Sequence, residues 1–139
     1  MTPVIFIADD NLADIDLLLL AFEETALTAT ITVSTDGADA IRQLKTCQPN
    51  LVLLDIKMPE ADGFEVLSSI RSDERLKDVP VIMMSSSMAH SDRQRALQLG
   101  ATRYWVKPGR FAELLDLVVS LPSLVPLLRH KPDSDGVAP

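Results

Sequence analysis

The sequence of 139 residues is long enough for one domain and too short for two of ordinary size. A hydrophobic fraction of 47% and a charged fraction of 24% exclude general disorder. The net charge of −7 argues against binding to nucleic acid, which would need a dense basic surface. The lone Cys47, the lack of an apolar run of about 18 residues and the acidic N-terminus predict a cytoplasmic protein without a membrane span or signal peptide.

The first half of the chain alternates between apolar runs and amphipathic segments. Residues 4–8 form a β-branched-rich run, which predicts a strand buried on both faces. Apolar residues at helical spacing predict a helix over 12–25, and a Thr/Val/Ile-rich run predicts a second strand over 28–33. Asp36 is a candidate cap for the second helix, and the apolar run 51–54 predicts a third strand.

The second half repeats this alternation. Asp62 is a candidate cap for the third helix, and residues 81–84 predict a fourth strand. Ser91 is a candidate cap for a fourth helix, residues 104–106 predict a short fifth strand, and 111–121 predict a final helix. Five alternations of strand and helix predict an α/β domain in which helices cover both faces of a parallel sheet.

Polar side chains follow the predicted strands at their carboxyl ends. Asp9 and Asp10 follow the first strand, and Asp55 follows the third. Ser85 follows the fourth strand and Lys107 the fifth. Because ligands bind outside the carboxyl ends of strands in open α/β sheets, we expect these side chains to form one site.

The residue types at these positions favour phosphoryl chemistry with a hard cation. Carboxylates that lie together repel one another, and oxygen ligands without nearby His or Cys select Mg²⁺. One aspartate would then be free to attack phosphorus as a nucleophile. Lys107 would neutralise phosphoryl charge, and Ser85 would donate a hydrogen bond to a phosphoryl oxygen.

The chain resembles the receiver domain of bacterial two-component response regulators over about residues 4–121. The resemblance is carried by several motifs in order at the strand ends. They are Asp9-Asp10-Asn11, Asp55-Ile56-Lys57-Met58-Pro59, Asp62-Gly63, the run 81–86 and the run 100–108, which contains Tyr104-Trp105-Val106-Lys107-Pro108. The resemblance implies a flavodoxin-like, doubly wound, five-stranded parallel sheet of order 2-1-3-4-5 with five helices.

The resemblance also implies roles at the metal and phosphoryl site. Asp55 would be the phosphoacceptor, with Lys107 and Ser85 assisting at the phosphoryl group. Asp10 would bind Mg²⁺ directly, and Asp9 would help through a water molecule. Lys57 would offer its backbone carbonyl to the metal.

Two further expectations follow from the resemblance. Ser85 and Tyr104 stand where the family has residues that change position upon phosphorylation, so they are candidate switch residues. The Lys107–Pro108 peptide bond would be cis, as is usual in the family.

The function implied by the resemblance is a single-domain response regulator that catalyses only its own phosphorylation and dephosphorylation. Its phosphodonor would be a sensor histidine kinase or a phosphotransfer protein. The segment 10–22 is similar to stand-alone receivers partnered with phytochrome-type histidine kinases. A small Mg²⁺-dependent phosphatase with an aspartate nucleophile is the alternative, although such enzymes commonly carry Asp-x-Asp after the first strand.

The C-terminal region predicts protein contacts. We expect a receiver domain over 1–121 and an arm or tail over 122–139, with no output domain and a polar end over 131–139. The final helix is more apolar than one buried stripe requires, and the arm that follows is apolar but interrupted by Pro122 and Pro126. This apolar surface predicts a homodimer, whereas an arm that folds back on its own domain is the alternative.

Overall fold

Five parallel strands form the central sheet of the computed structural model, which describes residues 2–130, the side chain of His130 excepted. The strands are β1 (Val4–Ala8), β3 (Thr30–Ser34), β4 (Leu51–Asp55), β5 (Val81–Ser85) and β6 (Arg103–Val106). Their order across the sheet is β3-β1-β4-β5-β6. When the two-residue strand β2 (Leu27–Thr28) is left out of the count, this is the predicted order 2-1-3-4-5.

Five α-helices connect the strands. They are α1 (Leu12–Glu24), α2 (Gly37–Leu44), α3 (Gly63–Ser72), α4 (His90–Gln98) and α5 (Phe111–Val119). The predicted caps Asp36 and Asp62 each accept a hydrogen bond from a backbone N–H three residues later, and Asn11 does the same for α1. These caps satisfy N–H groups that have no partner within the helix.

The prediction that Ser91 caps α4 is wrong. The helix begins at His90, so Ser91 lies within its first turn, and the extended residue Ala89 precedes it without a side-chain cap. Ser87 Oγ accepts a hydrogen bond from the Ala89 backbone N–H, which holds the loop up to the helix start.

The predicted second strand is interrupted at Ala29. Leu27–Thr28 pairs antiparallel with a C-terminal strand, β7 (Arg129–His130), whereas Thr30–Ser34 pairs parallel with β1. Ala26 precedes β2 with a positive φ of 56°, so the chain turns sharply out of α1 before it enters the strands. One apolar run therefore supplies two strands with different neighbours.

The hydrophobic core is divided by the sheet into two layers. Because side chains alternate along a strand, Phe6 faces one layer while Ile5 and Ile7 face the other. The Phe6 layer is covered by residues of α2, α3 and α4, and the Ile5 layer by residues of α1 and α5. The carboxyl edge between the two layers remains available for polar side chains.

The arm after α5 folds back on its own domain as far as the structure describes it. A short 3-10 turn (Leu121–Ser123) follows α5, and the buried side chains of Val125 and Leu128 complete the Ile5 layer. The fold-back alternative is therefore the observed one over 121–130, and the predicted polar end over 131–139 lies outside the described residues. Among the helices described, none has the length and apolar character needed to cross a membrane.

Candidate functional site

The carboxyl edge of the sheet brings the predicted site residues together. Asp9 directly follows β1, Asp55 and Ser85 end β4 and β5, and Lys107 directly follows β6. Asp55, Ser85 and Lys107 line a cleft of about 490 Å³, to which Asp10 and other polar residues contribute. The cleft lining is Asp10, Asn11, Asp14, Asp55, Lys57, Ser85, Ser86, Lys107 and Pro108.

Three carboxylates in this region are placed to share one cation. One oxygen atom from each of Asp9, Asp10 and Asp55 lies within 4.8 Å of the others. Asp9 and Asp55 are buried, with 2% and 6% of their surface exposed, whereas Asp10 is exposed to solvent. An all-oxygen donor set with one open side fits a hard divalent cation that retains water ligands.

Lys107 forms ion pairs with the carboxylates around the cleft. Its Nζ atom lies 3.1 Å from Asp9 Oδ2, 2.7 Å from Asp14 Oδ2 and 3.3 Å from Asp55 Oδ1. Its backbone N–H donates to the Ser85 carbonyl oxygen at 2.8 Å, which fixes the start of the loop after β6. The ammonium group therefore lies beside the buried carboxylate of Asp55.

Burial and mutual repulsion raise the pKa values of the two buried carboxyls. Burial, followed by the negative charge of Asp9, raises the pKa of Asp55 to about 6 although Lys107 acts in the opposite direction. Burial also raises the pKa of Asp9, while the Asn11 N–H and Lys107 partly offset it. The fold therefore holds these carboxylates at a cost in free energy that a cation in the cleft would reduce.

The ammonium form of Lys107 is favoured by its carboxylate neighbours. Burial alone would lower the pKa of Lys107, but the hydrogen bond to Asp14 and the charges of Asp9 and Asp55 raise it above its ordinary value. The side chain consequently remains charged throughout the physiological pH range.

The two candidate switch residues both contact Ser87. Ser85 is buried, and its Oγ atom accepts a hydrogen bond from the Ser87 N–H at 3.0 Å. Tyr104 is buried on the neighbouring strand, and its hydroxyl donates to the Ser87 carbonyl oxygen at 3.0 Å. In this structure Tyr104 already occupies an inward position.

Lys57 lies in the loop that connects β4 to α3, with an exposed side chain that lines the cleft. The loop is closed by a hydrogen bond from the Gly63 N–H to the Ile56 carbonyl oxygen at 2.8 Å. A Cβ atom at Gly63 would lie 2.2 Å from the Asp55 carbonyl oxygen, so only glycine permits this close approach. Gly63 thus fixes the loop against the backbone of Asp55.

The expected cis bond between Lys107 and Pro108 is not observed, since every described peptide bond is trans. Trans is the commoner isomer of an X–Pro bond. Gly109 lies at an open position before α5, because a Cβ atom added there would meet nothing within 4 Å.

Sequence reasoning assigned no role to Asp14, which makes the shortest contact of Lys107. The relevant signal was an acidic residue in the first turn of the helix that follows the acidic pair. Asn11 caps that turn by accepting from the Asp14 N–H at 3.1 Å. A first turn that leads directly out of the cleft must place one of its side chains at the cleft rim.

Comparisons with known proteins agree with this geometry. Residues 5–119 match the family described as the response regulator receiver domain. Over 117 residues the chain is 35% identical to the probable methanogenesis regulatory protein FilR2 of Methanothrix harundinacea. The aligned region covers 80% of this chain and 76% of that protein. Several curated transcriptional regulators that also match are longer, and the chain spans about half of their length.

Solved structures are similar over the whole fold. The phosphorylated cyanobacterial phytochrome response regulator RcpA is 29% identical with a TM-score of 0.81, over 100% of this chain and 99% of that chain. The Mn²⁺-bound response regulator Rcp1 is 28% identical with a TM-score of 0.75, over 87% and 92% of the two chains. With a parallel sheet in the expected order and an acidic cleft at its carboxyl edge, the chain belongs to the response regulator receiver domain family of two-component systems.

Proposed function

We propose that the protein accepts a phosphoryl group on Asp55. The observation that carries this proposal is the position of that carboxylate, which is buried in the cleft with Lys107 Nζ 3.3 Å from Oδ1. A carboxylate oxygen of Asp55 would form a bond to the phosphorus of the donor. The bond between phosphorus and the leaving group would break, and the electron pair of that bond would leave with the group.

A divalent cation, Mg²⁺ in the cell, would be held by the carboxylates of Asp10 and Asp55 and by the backbone carbonyl of Lys57, and Asp9 would contribute through a water molecule. It would supply positive charge that reduces the repulsion between carboxylate and phosphoryl oxygens. The 4.8 Å grouping of the three carboxylates supports this assignment, as does the similarity to Rcp1, whose structure is a Mn²⁺-bound form.

The remaining site residues would bind and sense the phosphoryl group. Lys107 would pair with a phosphoryl oxygen, and Ser85 would donate its hydroxyl hydrogen to another. Because Ser85 and Tyr104 both contact Ser87, we propose that movement of Ser85 toward the phosphoryl group favours one position of Tyr104.

The protein would act as a cytoplasmic signalling protein rather than as a conventional enzyme, catalysing only its own phosphorylation and dephosphorylation. We propose a receiver unit over 1–121 with an arm over 122–139, and a signal passed on by protein contact or phosphorelay rather than by binding to DNA. The phosphodonor would be a phosphotransfer protein or a sensor histidine kinase of the phytochrome type. The similarity to RcpA, a phytochrome response regulator, supports the latter choice.

Phosphorylation of Asp55 is the first prediction. Incubation with phosphoramidate and Mg²⁺ should add one phosphoryl group, whereas EDTA or Asp55→Asn should abolish the addition, because the cation and the carboxylate are both required. Intact-protein mass spectrometry measures the stoichiometry, and trapping the acyl phosphate as a hydroxamate locates it.

Asp16→Asn is the matched control, since it removes one exposed carboxylate of α1 without touching the cleft. It should be phosphorylated like the wild type. Stoichiometric labelling of Asp55→Asn would disprove the site. Steady turnover of p-nitrophenyl phosphate would favour the phosphatase alternative instead.

A further inference from the structure

Asp14 makes the shortest of the three carboxylate contacts of Lys107. The Nζ atom is 2.7 Å from Asp14, compared with 3.1 Å for Asp9 and 3.3 Å for Asp55. An ammonium group has three N–H donors, and these three carboxylates can engage all of them. A phosphoryl oxygen on Asp55 can therefore gain a full bond from Lys107 only when another of its contacts weakens.

The backbone holds Asp14 in this position. Asn11 N–H donates to Asp9 Oδ1 at 2.9 Å, and Asn11 Oδ1 accepts from the Asp14 N–H at 3.1 Å. Lys107 bonds to both Asp9 and Asp14, which completes a closed ring of four residues. The contact between Asp14 and Lys107 is thus part of the hydrogen-bonded start of α1.

The location of Asp14 gives its charge a second effect. Its side chain is 32% exposed and lines the cleft, whereas the carboxylates of Asp9 and Asp55 are almost fully buried. Phosphodonors are anionic, so a donor that approaches Asp55 meets this carboxylate at the rim. Repulsion of the donor and competition for Lys107 act in the same direction, because both oppose transfer of the phosphoryl group.

We propose that Asp14 is a positioning residue that competes with the phosphoryl group for Lys107 and thereby limits the rate at which Asp55 is phosphorylated. This inference rests on the proposed function of Asp55. Asparagine at position 14 would retain the size and one oxygen acceptor of the side chain but remove its charge. Lys107 would then be released toward the phosphoryl group.

The test compares initial rates of phosphorylation by phosphoramidate at saturating Mg²⁺. Asp14→Asn should be faster than the wild type by about threefold to tenfold, the range expected for one charge-assisted contact that is partly exposed. Asp14→Glu restores the charge and should return the rate toward the wild-type value. Asp16→Asn, with the same charge change on the same helix, should match the wild type at about 0.3 M salt, where distant charges are screened.

A second measurement separates competition for Lys107 from a general structural effect. Beryllium trifluoride mimics the phosphoryl group, and its affinity in the presence of Mg²⁺ should rise in Asp14→Asn by a similar factor. The affinity for Mg²⁺ without fluoride should not rise, because Asp14 is outside the group of three carboxylates. A variant that merely disturbed the fold would lose affinity for both ions.

Equal or slower phosphorylation of Asp14→Asn relative to Asp16→Asn overturns the inference while the wild type is still labelled on Asp55. Absence of labelling in the wild type instead overturns the proposed function, and the inference with it. A faster Asp14→Asn with unchanged affinity for beryllium trifluoride also counts against competition, since donor repulsion alone would then explain the rate.

Discussion

Asp55 shows how one buried side chain sets the properties of the cleft. Its pKa is raised to about 6, whereas an exposed aspartate titrates near 3.8. The folded protein therefore binds the proton more tightly than the unfolded chain does between these two values. In the metal-free protein, the contribution of Asp55 to stability is therefore most favourable near pH 4 and falls as pH rises from about 4 to 6, because the buried carboxylate must then be held in charged form.

Removal of this charge should stabilise the metal-free protein. With EDTA at pH 8, we expect Asp55→Asn to raise the free energy of unfolding by about 1–3 kcal/mol, the order given by a shift of this size after screening. The gain should shrink toward pH 4, where the wild-type carboxyl is protonated. Urea unfolding monitored by the fluorescence of the buried Trp105 measures both values.

Asp16→Asn again provides the control, because its exposed carboxylate should change the stability very little at either pH. Addition of Mg²⁺ should reduce the difference in the free energy of unfolding between the wild type and Asp55→Asn, since the cation stabilises the charged carboxylate of Asp55. If Asp55→Asn is no more stable than the wild type at pH 8, burial does not strain this carboxylate.

Residue types and strand positions were sufficient to place most of the cleft. Asp9, Asp55, Ser85 and Lys107 each follow an apolar run, and parallel topology brings such positions to one edge. Asp14 was missed because its contact depends on the direction of α1 after its cap, which no short motif encodes. The trans bond before Pro108 was missed because the expectation came from the family rather than from the local chain.

At the scale of an element, the C-terminal arm acts as part of the core. Val125 is buried, and Leu128 is 1% exposed within the layer formed by α1, α5 and one face of the sheet. Strand β7 then pairs with β2, which ties the arm to the turn after α1. The alternation of apolar residues and prolines in the sequence predicted an apolar arm but could not indicate which surface it would cover.

Substitution of an arm residue should therefore destabilise the whole domain. We expect Leu128→Ala to lower the free energy of unfolding by about 2–4 kcal/mol, because it leaves a cavity in the core. Leu97→Ala is the control, since Leu97 is 49% exposed on α4 and its truncation should cost less than about 0.5 kcal/mol. Urea unfolding measures both, and equal values would show that the arm is not packed on the domain in solution.

The predicted second strand is divided because its first part pairs with the C-terminal arm. Propensity predicted a strand over residues 28–33, and all of them lie in strands except Ala29. The two halves separate because Leu27–Thr28 pairs with residues about a hundred positions away in the chain, which is beyond the reach of any local pattern. The predicted caps Asp36 and Asp62 are confirmed, whereas α4 begins without a side-chain cap.

At the scale of the whole molecule, exposed apolar side chains suggest how two copies would meet. Leu17 and Leu20 are exposed on α1, Val119 on α5 and Leu127 on the arm. The elements that carry them pack against one another, because α1 contacts α5 and the turn after α5 continues into the arm. We propose a homodimer through α5 and the arm, with α1 at its edge.

Sedimentation velocity at micromolar concentration tests this dimer. We expect the wild type to sediment as a dimer and Val119→Glu combined with Leu127→Glu to sediment as a monomer, because two charges would be buried in each half of the contact. Leu97→Glu is the control, since Leu97 is 49% exposed on α4, away from this region. A monomeric wild type, or a dimer that only Leu97→Glu dissociates, would contradict the proposal.

Ser87 connects Ser85 at the cleft with the buried Tyr104 on β6 through two hydrogen bonds of its own backbone. Its N–H bonds to Ser85 and its carbonyl oxygen accepts from Tyr104. A group that draws Ser85 into the cleft and a protein that selects one position of Tyr104 therefore act on the same backbone. Thermodynamic reciprocity then requires that a partner which alters phosphoryl affinity by some factor has its own affinity altered by that factor. The effect of the partner on phosphoryl affinity and the effect of the phosphoryl group on partner affinity must therefore give the same coupling free energy.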